Sequence, residues 1–367
     1  MTELVRVFDT ILAIKLPMDV LWNVLIISAV LLVLLFFAGL MYQAIGSARD
    51  AARYRPPGSL VDVGDHRLHI YCIGEGAPTV VFDSALGGSC LSWTLVQPDV
   101  AAFTRACSYD RAGFGWSDAD PMPRTVERIV EELHSLLAKA GIKGPYVLVG
   151  HSFGGLTTRL YASKYPDEVG GMVLVDPADP QEWLQMTEQN KRRLERGAQL
   201  SRRGAIFARL GIARFVSFLV SAGALPIARF SVSLMSLGAL KGDEDRILAP
   251  VNRLPLHVRP VLKTFWTQPK FFKALASQIA FVPQSAAQVA ATGGYADKPL
   301  VVLSASNPSP DRARAQEALA RLSTDGQHIV ASNSGHWIPL DQPQVVVDAI
   351  HRVVESVRRK KSGRPNS

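Results

Sequence analysis

The pattern of apolar and polar positions changes character three times along the chain. Residues 20–41 form a run of 22 without a single charge, interrupted only by Asn23 and Ser28. At about 1.5 Å per residue a helix of that length spans roughly 33 Å, which matches the hydrocarbon core of a bilayer. A transmembrane helix is therefore expected over 20–42. The apolar part of a cleaved signal peptide is shorter, about 7 to 15 residues, although Ala44-Ile45-Gly46 has the small residues of a weak cleavage site. Arg6 and Lys15 precede the run and Arg49, Arg53 and Arg55 follow it, a near tie that sets no orientation.

After Tyr54-Arg55-Pro56-Pro57-Gly58, a stiff link, the period shortens. Residues 60–63 and 68–73 alternate apolar and polar around Gly64-Asp65, which predicts a β-hairpin. Short apolar runs follow at 79–82, 106–109, 146–149, 172–175, 300–303 and 328–331, so eight strands are expected in all. Amphipathic patterns at 127–139 and 345–357 supply helices between and after them. Strands alternating with helices imply a mainly parallel sheet covered on both faces.

The third change lies between 175 and 300, where helical patterns dominate over more than a hundred residues. A stretch that long is not a structureless loop in a compact domain, and a folded insertion is expected. Its middle, 205–230, mixes Phe207, Leu210, Ile212, Phe215, Phe218 and Leu219 with Arg209, Arg214 and Arg229. That pattern suits helices packed on the core, or a lid with an apolar face. The resulting divisions are an N-terminal segment (1–19), the transmembrane helix (20–42), a linker (43–59), a first core part (60–180), a helical cap (181–298), a second core part (299–358) and a basic tail (359–367).

Charge sharpens this division. The chain carries a net +8, while residues 181–298 alone hold 17 Lys and Arg against 7 Asp and Glu, or +10. No zinc-finger, RRM or helix-turn-helix pattern accompanies the excess, so a nucleic-acid partner is not expected; a basic, apolar segment suits an anionic membrane surface. The three cysteines, Cys72, Cys90 and Cys107, lack a CxxC spacing and cannot all pair, and they are expected as buried apolar residues.

The chemistry concentrates in Gly150-His151-Ser152-Phe153-Gly154-Gly155, which follows the apolar run 146–149 and precedes a helical pattern. This is G-x-S-x-G at a strand-to-helix turn, the context that the motif requires. A serine presented at so sharp a turn takes a strained backbone conformation, and glycines two residues away on either side avoid collisions across it. Ser152 is the candidate nucleophile. A serine needs a base to take its proton, and of eight histidines His336 stands out. Ser334-Gly335-His336-Trp337-Ile338-Pro339 lies between the last strand and the last helix, on a loop at the strand ends. His328 and His351 fall inside a strand and a helix, and His151 is expected to point away from the serine.

A carboxylate should orient that histidine and stabilise its cation. Asp176 ends the strand 172–175 and gives the chain order Ser, Asp, His. Asp311, beyond Ser304-Ala305-Ser306-Asn307, is the alternative acid, although its place at a helix start suits an N-cap; Asp179 is a more distant candidate. The oxyanion donors are expected to be the backbone N–H of Phe153 and one from Asp83-Ser84-Ala85-Leu86-Gly87-Gly88, at Ala85 or Leu86. No metal constellation or phosphate-binding glycine loop appears, and no cofactor is implied.

Together with Ser108-Tyr109-Asp110-Arg111-Ala112-Gly113-Phe114-Gly115-Trp116-Ser117-Asp118, these segments resemble the α/β-hydrolase fold family from about residue 60 to 357, specifically the branch with a helical cap after the sixth strand. The resemblance implies an eight-stranded, mostly parallel sheet and a structural, loop-bracing role for Asp110 and Arg111. Two departures stand out: Ser84-Ala85 replaces the His-Gly of many relatives, and the Gly-Asp-like turn after strand seven is absent. An acid after strand six, as in vertebrate pancreatic lipases, is similar to Val175-Asp176-Pro177. A serine at the elbow points away from epoxide opening and dehalogenation, which use aspartate there. The expected function is membrane-anchored hydrolysis of a carboxylic ester with an apolar or lipid-like acyl group. Peptide or amide hydrolysis, acyl transfer and a non-catalytic membrane-tethered binding module are the alternatives.

Overall fold

A computed structural model describes residues 17–120, 123–223 and 251–363. The chain opens with helix α1 (Met18–Arg53), followed by β1 (Ser59–Asp62) and β2 (Arg67–Ile73), the expected hairpin. Then come β3 (Thr79–Asp83), β4 (Ala106–Tyr109), α2 (Val126–Lys139), β5 (Tyr146–His151), α3 (Gly154–Lys164) and β6 (Val169–Val175). The insertion contributes α4 (Glu188–Arg209), α5 (Ile212–Ser221), α6 (Arg259–Phe265), α7 (Pro269–Ala280) and α8 (Val282–Ala290). The chain returns through β7 (Leu300–Ser304), α9 (Pro310–Ala320), β8 (Gly326–Val330) and α10 (Pro343–Lys361).

All eight strands form one sheet in the order β1-β2-β4-β3-β5-β6-β7-β8. The pairs β1–β2 and β2–β4 are antiparallel, and the other five are parallel. Strands β3, β4, β5 and β7 are buried at every position, as expected where helices cover both faces of a parallel sheet. On one face Ile129, Leu133, Leu136 and Leu137 of α2 meet Leu148, Met172 and Leu174; on the other Ile350, Val353 and Val354 of α10 meet Val147, Val173 and Val301. The polar stripe of each helix faces water.

Most strands shift by one or two residues at an end from the sequence pattern, and two shifts have a cause in the pairing. β6 starts at Val169, not 172, because Tyr146 of β5 already pairs with Val169 through a stretch whose Gly170-Gly171 carries no strand signal of its own. β8 covers Gly326–Val330, not 328–331, since its partner β7 begins pairing at Leu300 opposite Gly326 and the chain turns away at Ala331. Cys72 and Cys107 stand directly opposite each other on β2 and β4 and are joined by a disulfide, while Cys90 is buried and free. The expectation of three buried apolar cysteines holds for Cys90 and is corrected for the other two, which strand register brings together as a pair.

Helix α1 is longer than the apolar run, and residues 43–53, expected as linker, are its last three turns. Ala-rich sequence sustains the helix, and Pro56-Pro57 ends the possibility of extending it. Among the described residues it is the one single helix long and apolar enough to cross a membrane, and its large side chains from Leu21 to Phe37 are exposed. Beyond that run α1 packs on the insertion. A Cβ on Gly39 would lie 2.4 Å from the carbonyl oxygen of Leu210, and one on Gly46 would lie 2.4 Å from Arg214 Nε, so only glycine permits this approach. Gln43 is buried between them, donating to the Thr267 carbonyl (3.0 Å) and accepting from Arg214 Nε (3.1 Å). One turn further, Arg214 forms an ion pair with Asp50 at 2.6 Å. Of the segment 205–230, residues 224–230 lie outside the described residues, as do 1–16 and 364–367 of the termini; the rest forms the end of α4 and α5.

Candidate active site

The site grows from the carboxyl ends of β3, β5 and β6 and the loop after β8. Strand β5 ends at His151, and the chain turns at once into α3 through Ser152, whose φ is +54°. That left-handed conformation costs a non-glycine residue about 1–3 kcal/mol and persists only where its surroundings fix it. Here Ser152 N donates to Val175 O (3.0 Å) and Ser152 O accepts from Ala178 N (3.1 Å), which lashes the turn to the end of β6. Cβ atoms on Gly150 and Gly154 would each lie 2.4 Å from a backbone carbonyl oxygen, of Gly154 and Asp83 respectively, so the turn closes only without them. Ser152 is half-buried at the start of α3, whose first N–H groups face the same space.

Asp176 closes β6 in a second strained conformation, with φ +40°, and its N–H is fixed to Leu303 O (2.7 Å). Its Oδ2 meets His336 Nδ1 at 2.6 Å and its Oδ1 accepts from Gln316 Nε2 at 2.8 Å. Arg312 Nη2 lies 3.1 Å from Oδ2. Burial alone pushes the Asp176 carboxyl up, but the bond from His336, the charge of Arg312 and the amide of Gln316 outweigh it and hold the pKa at about 2. A carboxylate so firmly ionised accepts, so Nδ1 of His336 is the donor in this pair. Asp311 lies elsewhere: it is exposed and pairs with Arg314, and Ser309 is the N-cap of α9 in its place. Asp179 caps the short helix Pro180–Leu184.

Three supporting side chains have no local sequence signal. Gln316 is buried on α9 and also accepts from Ser304 Oγ (2.5 Å), where β7 ends. Arg312 sits one turn earlier on the same helix. His151, expected to be uninvolved, reaches under the His336 loop: its Nε2 donates to the His336 carbonyl at 2.8 Å, and the two rings lie 4.9 Å apart. Burial and the neighbouring His336 push its pKa down to about 3, so it is neutral and holds the loop by a hydrogen bond and packing alone. Asp341 fastens the other side of that loop by accepting from Gly335 N and Ser334 Oγ, each at 3.1 Å. Among the described residues no hydrogen bond joins Ser152 Oγ to the imidazole, a contact that commonly tightens around substrate.

The loop after β3 faces this serine. Arg111 donates from Nε to Asp83 Oδ1 (2.8 Å), from Nη1 to the Ala85 carbonyl (3.3 Å), and from Nη2 to the Ser84 carbonyl. In a trans peptide the N–H points opposite to the preceding C=O. Pulling the carbonyls of Ser84 and Ala85 toward Arg111 therefore turns the N–H groups of Ala85 and Leu86 the other way, while the Phe153 N–H stands at the start of α3. Asp110 braces the neighbouring loop, accepting from Cys90 N (2.7 Å), Trp116 N (3.0 Å) and His69 Nδ1 (2.9 Å). Among the described residues two groupings have the makings of metal ligands, and both are occupied by their own partners: His69, Cys90 and Asp110 bond one another, and Arg124 bridges Asp120 and Glu132 beside His66.

The sheet order, with a serine turn after β5, is that of the α/β hydrolases, and Asp176 after β6 takes the position found in the relatives that depart from an acid after strand seven. Residues 78–343 match the family model described as the alpha/beta hydrolase fold, and the chain belongs to that family. It is 26% identical over 242 residues to the uncharacterized protein YbdG of Bacillus subtilis, covering 64% of this chain and 70% of that one. Among solved structures it resembles a thermophilic esterase from Thermogutta terrifontis (TM-score 0.57, 21% identity, 81% and 97% of the two chains). A putative lipase from Acinetobacter baumannii is similar too (TM-score 0.60, 19% identity, 87% and 97%). At such identities the likeness is one of fold.

Proposed function

We propose that the protein is a membrane-anchored serine hydrolase that cleaves a carboxylic ester with an apolar or lipid-like acyl group, with Ser152 as nucleophile, His336 as general base and Asp176 as the acid behind it. The observation that carries this reading is the 2.6 Å pairing of His336 Nδ1 with an ionised, buried Asp176, beside a serine held at a left-handed turn. In the proposed reaction Ser152 Oγ attacks the ester carbonyl and His336 Nε2 takes its proton. Backbone N–H groups of Phe153 and of Ala85 or Leu86 receive the charge that develops on the carbonyl oxygen. The imidazolium, stabilised by Asp176, then gives its proton to the departing alkoxide, leaving an acyl-enzyme. A water deprotonated by the same His336 hydrolyses it and frees Ser152.

The apolar acyl group is inferred from α7, which packs against the proposed oxyanion loop. Leu275 and Phe271 of α7 reach Gly87 on the proposed oxyanion loop, at 3.3 and 3.9 Å from the position a Cβ would take there. Phe114, Trp266 and Phe272 pack with them in one apolar cluster. Anchoring rests on the uncharged run within α1 and on its exposed side chains.

The test uses full-length protein in detergent against p-nitrophenyl esters of increasing acyl length. The expected result is hydrolysis that Ser152→Ala abolishes and whose kcat/KM rises from acetyl toward medium-length chains. Hydrolysis no faster than the Ser152→Ala background across the series would contradict the reading. Alkaline carbonate washing of membranes tests the anchor: an integral protein stays in the pellet, and release into the supernatant would count against it.

A further inference from the structure

Where α1 leaves its apolar run it does not stand alone: with α5 and α6 it walls a cleft of about 490 Å³. The cleft begins at Tyr42 and Gly46 on α1 and continues past Arg49 and Arg53; the facing wall carries Arg214, Phe218 and Lys263. Arg214 is committed to Asp50, the one carboxylate in the lining. Among the described residues no carboxylate pairs with Arg49, Arg53 or Lys263. Lys263 Nζ instead lies 3.2 Å from the neutral hydroxyl of Ser221, and the Arg53 guanidinium stands over the Tyr54 ring at 5.3 Å. The cleft thus gathers three cations that no carboxylate among the described residues pairs, beside hydroxyl groups.

Its height on α1 is what identifies the ligand. The strongly apolar run stops at Met41, and the first charge beyond it is Arg49. The headgroup layer on each side of a bilayer is roughly 5–8 Å deep. At about 1.5 Å per residue, Tyr42 and Gly46 fall within that layer, while Arg49 and Arg53 start about 12 and 18 Å beyond Met41 and reach back toward it with long side chains that lean to the helix N-terminus. Tyrosine at that level is the usual interfacial anchor. Phe218, which lines the cleft, and Phe215 one turn away on α5 are 59% and 51% exposed, so the cleft is flanked by apolar rings suited to acyl chains.

We propose that this cleft binds the phosphate of an anionic phospholipid headgroup from the surrounding bilayer, with Arg49, Arg53 and Lys263 as its cationic ligands. The inference rests on the membrane-anchored reading of α1. Because Arg49 and Arg53 belong to α1 and Lys263 to the insertion, one bound lipid joins the anchor to the insertion.

The experiment is native mass spectrometry of the full-length protein in a neutral detergent, with dioleoyl phosphatidylglycerol or dioleoyl phosphatidylcholine added. The expected result is one phosphatidylglycerol retained per chain, at least about tenfold more tightly than phosphatidylcholine. Arg49→Gln/Arg53→Gln/Lys263→Gln should erase that preference. Lys139→Gln/Lys143→Gln/Arg321→Gln, the same charge change at exposed positions away from the cleft, should keep it. Equal retention of both lipids by the wild-type protein, or equal loss in both triple variants, would overturn the site. Displacement of the phosphatidylglycerol by millimolar inorganic phosphate would assign the cleft to a soluble anion and overturn the lipid assignment. Carbonate washing of each variant separates the two levels: a chain that stays in the membrane without lipid preference refutes the headgroup site alone, and a chain that washes off refutes the anchor with it.

Discussion

The serine turn and the acid that faces it are built on opposite principles. Ser152 is held by its own neighbourhood: two glycines two residues away, the end of the strand before it and the helix after it all lie within one continuous segment. Asp176 is held from afar, by His336 160 residues later and by Gln316 140 residues later. Both residues sit at positive φ, and both are tied to the next strand in the sheet by a backbone hydrogen bond. The contrast teaches that the proposed nucleophile is placed largely by local geometry, whereas its proposed activation depends on how α9 and the loop after β8 dock on the sheet. Damage at the turn should remove chemistry outright; damage at the supports should weaken it in degrees.

The largest effect expected is from Ser152→Ala, with kcat/KM for an ester falling about 10⁴-fold or more while the protein stays folded. Asp176→Asn comes next, at about 10²- to 10⁴-fold, because an amide leaves the histidine without its stabilising charge and favours the wrong tautomer. Asp311→Asn serves as its counterpart and should leave the rate within about twofold, since Asp311 is exposed and bonded only to Arg314. Equal losses from the two acid variants would break the contrast.

Gln316→Ala sharpens it. With one carboxylate oxygen of Asp176 left unpaired in a buried site, kcat/KM should fall about tenfold through kcat, with KM little changed. An unchanged kcat would show that His336 and Arg312 suffice to hold the acid. The smallest effect concerns stability. The His151 pKa is near 3 in the folded chain and near 6.5 in the unfolded chain. Between those values the unfolded state binds a proton that the folded state does not, so acidification across that window removes up to about 1.4 kcal/mol per pH unit. Asp176 adds a loss of the same sign as pH falls from about 3.9 toward 2. Urea midpoints measured from pH 7 to pH 4 should therefore decline for the wild-type protein and flatten for His151→Asn.

The same division explains what the sequence makes legible. The strands, the G-x-S-x-G turn and the loop around His336 each announce themselves within a dozen residues, through period, glycine spacing and position between elements. Asp176 and Asp311 look alike locally, because either ends or follows a buried strand, and only the three-dimensional course of α9 separates them. Gln316 and Arg312 read as ordinary helix positions, and His151 as a strand residue facing away, until the loop after β8 is laid over it. The continuation of α1 to Arg53 was hidden for a related reason: its polar Gln43, Ser47 and Asp50 look like linker chemistry but are partnered by Thr267, Gln268 and Arg214 more than 160 residues away.

The most direct test of the central claim is covalent labelling of the full-length protein by a fluorophosphonate, which reacts with an activated serine and not with an ordinary one. Rapid labelling of the wild-type protein is predicted, with the adduct mapped to Ser152, none in Ser152→Ala, and a rate that drops with Asp176→Asn but not with Asp311→Asn. A folded wild-type protein that stays unlabelled, or an adduct on another residue, would contradict it.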